Sequence, residues 1–384
     1  MAHLSCPHCG RLLQFETRCC GGCGHAVAFD PATGRFFHLD PALGRWKPAF
    51  GPDRARTLCD NGRFGVCNWL AEGQGAGRLC VSCAPNRIIP DLSVRGVLER
   101  WRRVEEAKRR MVWGLLRLGL PLRPRAPSEP RLAFDLLYDP DAEAGYAPLH
   151  ATGYQNGVIT LNLVEADDSA RERMRGRMGE PYRTLLGHFR HEIGHHYWHV
   201  LVADASTLAS FRAVFGDERA DYAACAAVYY GRPESGARWS DDYVSRYASM
   251  HPWEDFAETF AHFLHIVDTL AVMASFRTTI TPQPHLAGEP ISSGDLDPYS
   301  ADTAALVRCW APCAYALNAI NRSMGLPDLY PFALSPMVVV KLDYVNRLIA
   351  NATGRAPMTD GEQEGMQAMI AALALPAAPG EDRL

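Results

Sequence analysis

The chain lacks an excess of either charge: 39 Lys and Arg face 43 Asp and Glu, a net charge of −4 over 384 residues. That removes a global electrostatic case for nucleic acid, whose phosphates call for a basic surface. It also lacks a long apolar run, since no stretch approaches the roughly 18 residues of a membrane span. The opening Met1-Ala2-His3-Leu4-Ser5-Cys6 carries no basic flank followed by an apolar segment, so no export signal reads there. The expectation is a cytoplasmic protein with neither membrane nor nucleic acid as partner. With 47% hydrophobic residues there is material for a sizeable core, in roughly two or three domains.

Cysteine is plentiful, with twelve in all. Eight of those in the first quarter fall into metal-like groupings, and without an export signal reduced, zinc-bound thiolates explain them better than an oxidised scaffold. Cys6-Pro7-His8-Cys9 and Cys20-Gly21-Gly22-Cys23 are two C-x-x-C knuckles with Leu12, Leu13 and Phe15 between them, the plan of a zinc ribbon. Gly10 and Gly24 follow the knuckles and permit the tight turn. Cys19 breaks the two-residue gap that Cys20 keeps, and four thiols suit one tetrahedral ion better than a redox pair. Cys59, Cys67, Cys80 and Cys83 form a second set, read as another structural zinc site, with buried thiols as the alternative because its first half has no compact knuckle.

Between the sets, Asp30-Pro31-Ala32-Thr33-Gly34-Arg35-Phe36 is echoed by Asp40-Pro41-Ala42-Leu43-Gly44-Arg45-Trp46, each a turn between short strands. Leu92 to Leu118 reads as a helix whose interleaved Glu, Arg and Lys point to a solvated connecting element. Gly119 and Pro121 stop it, and Pro124, Pro127 and Pro130 mark a linker. Leu132 to Tyr138 and Val158 to Leu163 read as strands. After about Ile349 the composition thins to a tail expected to be mobile.

His191-Glu192-Ile193-Gly194-His195 is the most informative segment. On a helix, residues four apart share a face, so His191 and His195 can offer two imidazole nitrogens to one metal, with Glu192 beside them as general base. Leu185, Leu186, Phe189, Ile193, Tyr197 and Val200 recur at helical spacing around the motif. A catalytic zinc takes three protein ligands and keeps one open position. Glu254 and Glu258, on one face of a second helical stretch beside the small Ala257 and Ala261, are candidates for the third; so is Glu218 in Asp217-Glu218-Arg219-Ala220-Asp221. Two carboxylates next to Phe256 and Phe260 need a cation or hydrogen-bond donors, and a ligand plus an acceptor for a ligand histidine would meet that need. His188, His196, His199, His251 and His262 read as packed or surface residues, and Cys225, Cys309 and Cys313 as core.

The segments Tyr182 to His195 and His251 to Ala261, with Cys67-Asn68-Trp69, Glu106 to Arg110 and Asn321-Arg322-Ser323-Met324-Gly325, resemble a bacterial family of zinc-binding metallopeptidases with N-terminal zinc ribbons. More distantly, the pattern is similar to the catalytic domain of anthrax lethal factor, whose metal-binding glutamate falls on Glu254 and whose active-site tyrosine falls on Tyr247. The resemblance implies an α+β, zincin-like, mainly helical metallopeptidase domain preceded by small zinc-ribbon modules. It implies His191, His195 and Glu254 as ligands and Glu192 as the base acting on zinc-bound water, with Tyr247 either a hydrogen-bond donor to the oxyanion or plain packing.

The resulting plan is a ribbon over 1–30, a β repeat and second cysteine module over 31–92, a connecting helix and linker over 93–130, the metallopeptidase domain over 131–350 and a tail over 351–384. One catalytic and two structural Zn2+ ions are expected. The substrate is expected to be a peptide or protein that pairs with the strand Ile159 to Leu163, and the ribbons are expected to recruit it or a protein partner. The competing classes are a zinc-ribbon or nucleic-acid binding module with a non-catalytic metal site, and a zinc hydrolase acting on a non-peptide amide.

Overall fold

A computed structural model describes residues 4–50, 55–73, 75–143, 152–178, 184–231, 239–280, 291–292, 294 and 296–355. Most of the tail expected over 351–384 thus lies outside the described residues, as do Tyr182 and Arg183. The fold mixes helix and sheet, and the chain divides into two compact units: Met1–Leu116 with Pro121–Phe189, and Arg117–Leu120 with Arg190–Leu384. Among the described residues no helix is long and apolar enough to cross a membrane.

In the first unit, the Asp-Pro repeat makes the antiparallel meander β1 (Val27–Asp30), β2 (Arg35–Asp40) and β3 (Arg45–Pro48). Its turns are tight because Gly34 and Gly44 adopt the left-handed conformation that a side chain would resist. The short pair β4 (Arg56–Leu58) and β5 (Leu70–Glu72) follows. Asn68 and Trp69 tie the two cysteine modules together. The Asn68 amide donates to the Phe15 and Thr17 carbonyls at 2.8 and 3.2 Å, and the fully buried Trp69 packs on Phe15 and Phe29.

Helix α1 (Val97–Arg117) departs from its sequence reading. Instead of a solvated connector it is the spine of this unit, and Glu105, Lys108 and Arg109 are as deeply buried as Trp101 and Val104. Their charges are matched to one another and to the thiols beside them, which hydropathy patterning does not register.

A four-stranded sheet completes the unit, in the order β6 (Asn86–Ile88), β7 (Ala133–Leu137), β9 (Val158–Asn162) and β8 (Gly153–Gln155). The β8–β9 hairpin turns on Asn156-Gly157, both at positive φ. β9 runs parallel to β7 and antiparallel to β8, and the Thr152 hydroxyl takes the Asn162 N–H. β9 is therefore an interior strand. The expected pairing of substrate along Ile159 to Leu163 is corrected, because β7 lies along one side while β8 and the Thr152 hydroxyl occupy the other through Asn162, and among the described residues the outer strands of the sheet are β6 and β8. After the helical turn α2 (Pro140–Glu143) and the sheet, α3 (Asp168–Met178) precedes α4 (Leu185–Leu201), within which the two units divide after Phe189.

The second unit is helical. α5 (Ala205–Phe215) opens with a capping box in which the Asp204 carboxylate accepts from the Ser206 and Thr207 N–H groups. α6 (Tyr222–Gly231) has no buried residue. α7 (Pro252–Ser275), α8 (Thr303–Ser323) and α9 (Pro336–Thr353) build the core with the second half of α4, and a minor β10–β11 pair joins Thr279–Ile280 to Ile291–Ser292. Phe211, Phe215 and Phe256 form an aromatic cluster, and Tyr197 stacks on Phe260 with ring centroids 5.5 Å apart. Beneath it the buried Lys341 ammonium pairs with Asp255 at 2.7 Å.

Candidate metal centre

The centre lies in the second unit where α4 meets α7. α7 starts where it does because His251 caps it: the ring Nδ1 accepts the Trp253 N–H while Nε2–H donates to the Ala220 carbonyl, and Pro252 takes the first helical position. This sets Glu254 in the first turn, where the helix dipole favours a carboxylate. The crossing itself depends on Gly194, since a Cβ there would sit 2.9 Å from Ala257 Cα and 3.0 Å from its carbonyl oxygen. Two small residues let the backbones close, and the motif histidines then reach across to Glu254.

Three donor atoms converge. Glu254 Oε2 lies 2.9 Å from His191 Nε2 and 3.3 Å from His195 Nε2, and the two nitrogens are 3.1 Å apart. Ligands at 2.0–2.1 Å from a tetrahedral zinc are separated by about 3.3–3.4 Å, so the arrangement needs little expansion to take the ion. Glu254 Oε2 is closed off from solvent and faces the two imidazole nitrogens, a setting in which a buried carboxylate oxygen calls for a cation. Burial alone would raise the Glu254 carboxyl, but the His195 and His191 imidazoles hold it well below the usual carboxylate range.

The surroundings orient these groups. Glu258, one turn along α7, accepts from His191 Nδ1–H at 2.8 Å and from the Ser245 hydroxyl at 2.6 Å. That hydrogen bond directs His191 Nε2 toward Glu254 and His195, as a carboxylate behind a ligand histidine does. Despite burial, the His191 hydrogen bond keeps Glu258 down at about 2. Trp253 covers His195 with ring centroids 3.8 Å apart. Glu192, between the two histidines in sequence, is buried on the same helix.

Of the rivals for third place, Glu218 is engaged elsewhere, held by the Arg212 guanidinium at 2.5 and 2.9 Å. Tyr247 stands in the short turn before α7, its ring centroid 5.7 Å from that of His191. Burial and the nearby Glu254 push its phenol upward, so it stays protonated across the neutral range. Sequence reasoning missed Tyr222, whose hydroxyl donates to Glu254 Oε1 at 2.8 Å and also meets Tyr247. The segment around Glu218 does approach the centre, but through the tyrosine just after it. Of the other histidines, His188 pairs with Glu165 at 2.7 Å in the first unit, and His262 bonds the Tyr330 hydroxyl in the second. Cys309 and Cys313 are core, whereas Cys225 is half-exposed.

The first unit holds two thiol sets, Cys6, Cys9, Cys20, Cys23 and Cys59, Cys67, Cys80, Cys83, each with all four sulfurs within 4.8 Å of one another. Sulfur separations of 3.7 Å (Cys6–Cys23), 3.6 Å (Cys9–Cys20) and 3.7 Å (Cys67–Cys80) are far too long for disulfides. They match the edge of about 3.8 Å for a tetrahedron with 2.3 Å zinc–sulfur bonds. In the first set each knuckle closes alike, with Gly10 N–H to the Cys6 carbonyl and Gly24 N–H to the Cys20 carbonyl. The second set is wholly buried, and Arg109 lies against it. Although burial disfavours the guanidinium, Cys67, Glu105, Cys83 and Cys80 keep it charged, which suits a cluster of thiolates around a cation.

A family model described as "Putative zinc-binding metallo-peptidase" matches residues 97–348, and a zinc-ribbon domain model matches residues 3–94. The chain belongs to this zinc-binding metallopeptidase family. The two matches meet just before α1, so the helix read as a connector opens the family's peptidase portion. Uncharacterized proteins of Mycobacterium tuberculosis and Mycobacterium bovis are 40% identical over 354 residues, covering 91% of this chain and 95% of theirs. No solved structure matches.

Proposed function

We propose that the chain is a zinc-dependent metallopeptidase in which His191, His195 and Glu254 hold the catalytic ion. The observation that carries this is the convergence of two imidazole nitrogens and one carboxylate oxygen, all buried, beside Glu192. When bound, zinc would supply an acidified water and polarise a peptide carbonyl. The remaining work falls to side chains. Glu192 takes a proton on its carboxylate and hands it to the leaving amine. Tyr247, kept protonated by burial, turns its hydroxyl toward the developing oxyanion, while Tyr222 and Glu258 keep Glu254 and His191 in place. The two four-thiol sets each hold a structural zinc, and the ribbons recruit the protein substrate or a partner. Thiols grouped for metal rather than paired as disulfides suit a reducing compartment, which supports the cytoplasm.

The test is hydrolysis of an unfolded protein or peptide library by the full chain, with and without a chelator, against Glu192→Gln. The variant is expected to keep its zinc and lose hydrolysis. Retained hydrolysis removes Glu192 from the reaction; wild-type cleavage confined to non-peptide amides would move the chain to the amidohydrolases. Absence of hydrolysis together with salt-dependent nucleic-acid binding would make it a binding module.

A further inference from the structure

Three imidazoles on the first ribbon lie outside the four-thiol sets and the centre on α4. His8 lies inside the first knuckle, His25 follows the second, and His38 stands on β2 opposite Val27. The rings of His8 and His25 stack with centroids 4.0 Å apart, and His38 meets each edge-on at 5.8 Å. A nitrogen of His8, a nitrogen of His25 and the Cys23 sulfur lie within 4.8 Å of one another. Nδ1 of His25 and Nδ1 of His38 are both closed off from solvent without a hydrogen bond. Such a nitrogen costs stability unless something binds it, and three imidazoles this close would repel one another if protonated. His8 is exposed, so the group opens to solvent.

We propose that His8, His25 and Cys23, backed by His38, form a further transition-metal site on the first ribbon, which takes a borderline divalent ion such as Zn2+. Imidazole with one thiolate selects that class over Mg2+ or Ca2+. Cys23 already belongs to the ribbon's four thiols, so its sulfur is shared, and an ion that relies on a shared sulfur and an exposed imidazole is held more weakly than one enclosed by four thiolates. The site does not depend on the peptidase reading.

The experiment uses full-length protein equilibrated at a low, chelator-buffered free Zn2+ so that only tightly held ions remain, and then titrated with Zn2+. Elemental analysis is expected to show the wild type taking up one ion more per chain than the His8→Ala, His38→Ala double variant. Equal uptake overturns the proposal. Because the double variant could disturb the ribbon fold, the wild type is also titrated with its histidine rings labelled with nitrogen-15. The ring resonances of His8, His25 and His38 are expected to shift together as the extra ion binds, and unmoved resonances overturn the proposal by themselves.

Discussion

Gly194→Ala tests whether close helix approach builds the centre. The added methyl would stand 2.9 Å from Ala257 Cα and 3.0 Å from its carbonyl oxygen, both backbone atoms that cannot rotate away. Ordinary carbon contacts lie at about 3.5–4.0 Å, so α4 and α7 must part by roughly 0.6–1 Å. Overpacking of this kind costs about 1–3 kcal/mol. Against it, alanine is favoured over glycine inside a helix by about 1 kcal/mol. The net loss is about 1 kcal/mol, or a fall in Tm of about 2–4 °C for a unit of this size. Metal binding should suffer more than stability, since ligand distances tolerate only about 0.2 Å and His191 and His195 ride on the displaced helix. Zinc affinity of this centre, read by chelator competition, should fall at least about tenfold. Gly231→Ala, at the end of α6 where a Cβ meets open space, is the control and should leave zinc affinity unchanged without destabilising the protein. A Gly194→Ala protein as stable as wild type with unaltered zinc affinity would show that the helices part freely, and the packing argument would fail.

Glu258→Gln removes the charge that orients His191 and should weaken zinc binding about 10- to 100-fold without unfolding the protein; unchanged affinity would reduce Glu258 to a bystander. In the metal-free protein, burial pushes His191 down, but Glu254 and Glu258 hold it well above 6.5. A protonated His191 therefore contributes stability that is fully present below about pH 6.5 and lost as pH rises through its raised value. Zinc needs the neutral ring, so affinity for this centre should climb as pH rises through that raised value. A flat affinity profile by chelator competition would contradict the ion-pair geometry. Arg109→Met strips the buried cation from the second thiol set and should destabilise the protein by about 3–5 kcal/mol in urea unfolding; a loss below 1 kcal/mol would mean that the thiols there are not ionised.

Local signals were legible where neighbours in sequence do the work. The i, i+4 histidines, the paired knuckles with their turn glycines and the twin Asp-Pro turns each depend on a handful of adjacent residues, and all of them formed. Charge patterning misled at α1, because Glu105, Lys108 and Arg109 balance one another and a thiol cluster brought in from up to 50 residues upstream. β9 read as a strand correctly, but alternation along a strand carries no record of which neighbours flank it, so its interior position was invisible.

The division follows the range of the forces involved. Helix periodicity, turn chemistry and ligand spacing act over a few residues, so the sequence by itself determined the two knuckles, the histidine pair on α4 and the carboxylate pair on α7. Which of Glu254, Glu258 and Glu218 stands nearest the histidines depended on a helix crossing governed by Gly194 and Ala257 and on the Arg212 that holds Glu218. Tyr222 against Glu254, Ser245 behind Glu258 and the three clustered imidazoles of His8, His25 and His38 are likewise contacts between separate elements. Close packing brings such groups together only once the chain has folded, and only the tertiary structure decided them.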